Sequence, residues 1–160
     1  MNSRPVLPVS LTPVILLLTL TTAVLGCSGP FVLLPGGELE GPTRPVPESW
    51  AFTDAVDTVQ LETRPADPYS VNIWLTAADG DVYVHAGANR SRWVEHLEVD
   101  PEVRVRVGES IYELVAARVR EQVEFDRFAE AYEKKYGLRP RNENVAEVYL
   151  FRLARRGRER

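Results

Sequence analysis

The sequence predicts an α+β fold: a small, mostly antiparallel barrel of six strands with two helices, set behind an N-terminal signal segment. Three observations predict it. Apolar and polar residues alternate in short runs, as half-buried strands require. Most runs are joined by turn signals short enough for hairpins. Two segments change to helical spacing, with a stop signal after each.

Residues 1–26 divide as an export segment does. Met1 to Pro8 carry Arg4 and the amino terminus as fixed positive charge, and Leu11 to Leu25 are apolar apart from threonines and Pro13. The run is short and proline-marked for a spanning helix. It ends in Val24-Leu25-Gly26-Cys27, which resembles the lipobox of bacterial lipoproteins, although Leu25 is bulkier than the usual residue there. The resemblance implies cleavage before Cys27 and a diacylglyceryl group on its sulfur. An apolar core helix with an incidental cysteine fits badly, because Pro5, Pro8 and Pro13 would interrupt it. Cys27 is the only cysteine, so no internal disulfide forms, and lipidation leaves no thiol for catalysis. No Arg-Arg pair precedes the apolar run, which favours the Sec route for unfolded chains. The expected location is the cell envelope, with the membrane as a partner through lipid on Cys27. Ser28 after the cysteine permits the outer membrane, facing the periplasm, in a Gram-negative cell.

Cleavage would leave 134 of the 160 residues and, with Arg4 gone, take the formal charge from −4 to −5. That suffices for one domain with a real core and gives no general argument for nucleic-acid binding. Residues 27–49 read as the lipidated cysteine and a tether rich in proline and glycine (Pro30, Pro35, Gly36, Gly37, Gly41, Pro42, Pro45, Pro47).

The barrel domain is expected over residues 50–153. Val59 and Leu61 alternate with Thr58, Gln60 and Glu62 in a first strand. Arg64 to Tyr69 includes two prolines that stiffen the connection onward. Val71, Ile73 and Leu75 alternate with Asn72, Trp74 and Thr76 in a second strand, and Asp79-Gly80 turns it into a third through Val82, Val84 and Ala86. Trp93, Val94 and Leu97 stand at helical spacing between candidate caps at Asn89 and Ser91 and a stop at Asp100-Pro101. Val103, Val105 and Val107 form a strand that Gly108-Glu109 turns into Ile111 to Val119. A long helix from about Glu121 to Tyr136 places Phe125, Phe128, Ala129, Tyr132 and Tyr136 on one stripe, closed by Gly137. Val145 to Leu153, apolar on both faces, reads as a central strand. Residues 154–160 form an arginine-rich tail, either touching anionic head groups or free in solvent.

This order of elements is similar to the flavin-binding split β-barrel superfamily, the pyridoxamine 5′-phosphate oxidase-like fold, and within it to deazaflavin-dependent nitroreductase-like branches. The stretches that carry the likeness are Asp79 to Val84, Arg92-Trp93 with Leu97, Asp100 to Val105, Ile111 to Val119, and Tyr149 to Leu153. The resemblance implies FMN or a deazaflavin as cofactor, an oxidoreductase activity, and a homodimer as an accessible state. It places a cofactor phosphate at Asn89, Arg90, Ser91 and Arg92, where a helix N-terminus and two arginines also suit an anion. The competing reading has Asn89 or Ser91 capping the helix and both arginines solvated.

Asn72 and Trp74 share one strand face, and Tyr83 and His85 share another. If these faces meet across the hairpin, Asn72, Trp74 and His85 line a pocket wall; otherwise they form a packing face against a helix or a second subunit. His85 and His96 are far apart and lack ligand-like neighbours, so no metal is expected. No Walker loop, dinucleotide fingerprint or serine nucleophile elbow is present. Two functions therefore stand: a split barrel that binds a flavin-type or other small phosphate-bearing ligand and acts as an oxidoreductase, or a non-catalytic envelope lipoprotein that uses the barrel as a ligand- or protein-binding module.

Overall fold

The computed structural model describes residues 35–157, so the expected export segment and Cys27 lie outside the described residues. After a short 3-10 turn at Ala51–Ala55 come β1 (Thr58–Thr63), β2 (Tyr69–Ala78), β3 (Asp81–His85), α1 (Arg92–Val99), β4 (Glu102–Val107), β5 (Ser110–Arg118), α2 (Gln122–Tyr136) and β6 (Leu150–Ala154). The strands close into a barrel in the order β1-β2-β3-β6-β5-β4, every pair antiparallel. Tight hairpins set the register. Asp79 and Gly80, both at positive φ (53° and 84°), make the two-residue turn whose twist matches the β2–β3 ribbon.

The period-two pattern sorts side chains inside from outside. Val59, Leu61, Leu75, Val82, Val84, Val103, Val105, Leu114, Phe151 and Leu153 fill the interior with Trp93, Val94 and Leu97 of α1. Fully burying one such side chain stabilises the fold by about 1.5–3 kcal/mol before chain entropy is counted. Tyr83 and Leu150 alternate with those inward residues and point outward. There they meet Phe125, Phe128, Ala129 and Tyr132 in a second cluster, so α2 lies on the outer wall beside β3 and β6. Gly137, at φ 72°, ends α2, and the helix end is pinned to β2. Lys135 Nζ donates to the carbonyl oxygens of Thr53 (2.8 Å) and Leu75 (2.6 Å). The Leu75 N–H donates to the Tyr136 hydroxyl at 3.1 Å.

Two segments depart from expectation. The last strand begins at Leu150 rather than Val145. Asn144 explains this: its Oδ1 accepts the Ala146 N–H at 3.1 Å and its carbonyl accepts the Glu147 N–H at 3.0 Å. These local bonds make a turn, and Val145 and Val148 bury against α2 without strand pairing. The stretch expected to be a tether is, from residue 36 onward, a strap laid across the barrel. Gly36 exchanges both backbone hydrogen bonds with Ser70, and Pro42 and Arg44 bond Ile111. Leu39 is buried.

Beneath the strap lies Glu62, an outward residue of β1 with no exposed surface. Its carboxylate accepts from Arg104 Nη1 at 3.0 and 3.1 Å and from the Leu39 N–H, while Arg104 Nη2 donates to the Leu39 carbonyl at 3.0 Å. Proline and glycine in this segment therefore fit a chain bent over a curved wall, with its polar groups satisfied by the wall. Prolines need no donor partner, and Gly41 (φ 151°) is so close that an added Cβ would stand 2.7 Å from the Glu109 carbonyl oxygen.

Candidate functional site

Strand pairing places Thr76 opposite Tyr83 and Leu75 opposite Val84, bringing the outward faces of β2 and β3 together. Asn72, Trp74 and His85 then line a cavity of about 230 Å³ between the barrel wall and α2, with Thr76, Tyr83, Phe128 and Tyr132. A second cavity of about 540 Å³ shares Trp74, His85 and Tyr132 and opens toward Ala88, Leu138 and the loop residues 139–142. A third, of about 720 Å³, shares Asn72 and Trp74 and runs along the uncovered wall to Gln60 and Arg106. Trp74 stands where the three meet. It is 45 % exposed although large and apolar, and Tyr136 stacks on it at 4.6 Å and 14° between planes.

Inside the cleft the polar groups are few and set apart by burial. His85 packs among Phe125, Phe128 and Tyr132, and burial lowers its pKa to about 4, so it is neutral at physiological pH. Its Nε2 is buried with no hydrogen-bond partner among the described residues, a directed polar atom among aromatic rings. The Tyr83 hydroxyl donates to Glu124 at 3.1 Å, and Glu124 also receives Arg152 Nη1 at 2.8 Å. Burial first, and then that carboxylate, raise the Tyr83 pKa, so its proton stays in place. Burial likewise raises Tyr132. At physiological pH His85 is thus neutral, and Tyr83 and Tyr132 keep their protons.

Asn89, Arg90, Ser91 and Arg92, expected to hold a phosphate, do not line these cavities. Arg90 is paired with Glu98 at 2.6 Å, and Arg92 lies 5.6 Å from the Tyr69 ring centre. Ser91 is the N-cap of α1, but its hydroxyl makes no capping bond; its carbonyl accepts the N–H groups of Val94 and Glu95. Asn89 is exposed on the turn before it. The local signal of basic and hydroxyl residues before a helix was sound for the helix start. It carried no information about which way the helix start faces. Conversely, Tyr132, Leu138 and Arg141 join the cleft, and only the stripe on α2 hinted at the first of them.

No protein-family model matches the chain, and no curated protein matches it in sequence. Solved structures do match in fold. A conserved hypothetical protein from Mycobacterium tuberculosis aligns with TM-score 0.53 at 21% identity, over 66% of this chain and 77% of that one. A candidate 5-nitroimidazole antibiotic resistance protein from Bacteroides thetaiotaomicron aligns with TM-score 0.52 at 11% identity, over 64% and 75%. A candidate pyridoxamine 5′-phosphate oxidase from Listeria innocua aligns with TM-score 0.51 at 14% identity, over 65% and 87%. The fold is the split β-barrel. At these identities the likeness speaks for the architecture, and chemistry has to come from the cleft itself.

Proposed function

We propose that this protein is a lipid-anchored split-barrel binder of the cell envelope whose outer cleft takes a flavin-type cofactor for oxidation–reduction. The observation that carries the reading is Trp74, which stands where three cavities meet and shares two of them with His85 and Tyr132. A flat ring system suits aromatic side chains with one exposed indole, and the unpartnered Nε2 of His85 offers a hydrogen bond to a ring heteroatom. Flavins and deazaflavins supply hydride transfer when bound, and this chain's residues would bind, orient and exclude water. The candidate pyridoxamine 5′-phosphate oxidase among the similar structures supports an oxidation–reduction role. Val24 to Cys27 support the anchor, and the wall carrying Thr58, Gln60 and Arg106, open beside Trp74, offers a surface for a second copy of the chain.

A second reading, a non-catalytic binding module, draws on the titration behaviour of the cleft. His85 is held neutral and Tyr83 held protonated, so no described lining group is poised to pass a proton at neutral pH. Absorbance and fluorescence titration of the chain from Ser28 with FMN and with a deazaflavin separates the two. Saturable binding with reduction of the bound cofactor by a hydride donor supports the oxidoreductase. Binding without turnover supports the module, and no binding to either cofactor removes the flavin reading.

A further inference from the structure

We infer that Arg141 is the anion anchor of the cleft, so that its ligand is a planar heteroaromatic ring bearing a phosphate or other anionic group. The inference rests on the reading that the cleft binds a flat ring ligand. Among the cations that line the cavities around Trp74, Arg139 is held by Glu133 at 2.9 Å and by Glu143 at 2.8 Å. Arg106, on the opposite side, donates to the Glu40 carbonyl of the strap at 3.2 Å. Arg141 lines the cleft beside Trp74 and His85 and makes no hydrogen bond or ion pair within the described residues.

The loop fixes where Arg141 sits. Gly137 in the left-handed conformation turns the chain out of α2, and Pro140 is buried. On one side Arg139 is clamped by its two carboxylates; on the other, Asn142 Nδ2 donates to Glu147 at 2.9 Å. The backbone on both sides of Arg141 is therefore ordered, which lowers the entropic cost of closing on an anion, and no described carboxylate competes for its guanidinium. None of Glu133, Glu143 and Glu147 lines the cleft. A guanidinium also binds a phosphate in a bidentate way that a lysine at this position would not reproduce.

The test compares FMN with riboflavin, which has the same ring and no phosphate. All six strands and both apolar clusters lie within residues 35–157, so the chain from Ser28 contains the whole fold. The wild-type chain is expected to bind FMN at least about tenfold more tightly than riboflavin. In Arg141→Ala that preference should disappear, with riboflavin affinity unchanged. Arg141→Lys should recover only part of it, and Arg90→Ala/Arg92→Ala should leave it intact. Circular dichroism checks the fold of each variant. FMN binding that R141A does not weaken, or that the Arg90/Arg92 variant abolishes, overturns the anchor alone. If neither flavin binds, the ring-ligand reading falls and the anchor with it.

Discussion

Trp74 and His85 set the residue-scale expectations. Trp74 is half-exposed on a barrel that is otherwise well sorted, so Trp74→Ala should leave thermal stability within about 1 kcal/mol of wild type, as for a surface change. The same substitution should weaken flavin binding at least about tenfold, read by fluorescence titration, because stacking surface is lost. His85 makes a prediction in pH. Its folded-state pKa of about 4 lies below the unfolded value near 6.5, so between those values the unfolded chain takes up a proton that the folded chain refuses. Stability from this group is complete above pH 6.5 and declines as the pH falls toward 4, by at most about 3 kcal/mol. Urea unfolding at pH 7, 5.5 and 4.5 should show that decline, and His85→Gln should flatten much of it. His96, whose pKa is also lowered by burial, adds a smaller slope of the same sign that the variant retains.

Among the elements, the strap is what the sequence concealed. The alternation of Val103, Val105 and Val107, the Asp79-Gly80 turn and the α2 stripe made strands, hairpin and helix legible, because each depends on neighbours in sequence. The strap's partners are Ser70, Arg104 and Ile111, distant in sequence, and proline and glycine there look the same whether the chain is free or laid on a wall. Glu62 showed the same blindness: alternation assigned it to the outer face, and only the strap explains its burial beside Arg104. The cleft was half legible for a similar reason. Asn72, Trp74 and His85 follow from strand parity, whereas Arg141 depends on how the loop after α2 folds back. Gly41→Ala should detach the strap, because its new methyl would collide with the Glu109 carbonyl. Hydrogen exchange at Gly36, Leu39 and Arg44 should then accelerate at least about tenfold while the β2–β3 amides keep their protection. Unchanged exchange would show that the strap does not depend on this close approach.

At the scale of the whole molecule, the lipid and the barrel are separable predictions. In a bacterial host, wild-type chain should incorporate a palmitate label and Cys27→Ser should not. Failure of the wild type to take up the label would remove the anchor and leave the barrel reading untouched. Closure of the sheet has its own consequence for partners. Each of the six strands has a neighbour on both sides over part of its length, and the strap bonds Ser70 of β2 and Ile111 of β5 where those strands run past their pairing with β3 and β6. A protein or peptide therefore finds little free strand edge to add to. Recognition falls mainly to side chains, by shape and charge, and the exposed indole of Trp74 is an apolar surface from which such contact would displace water.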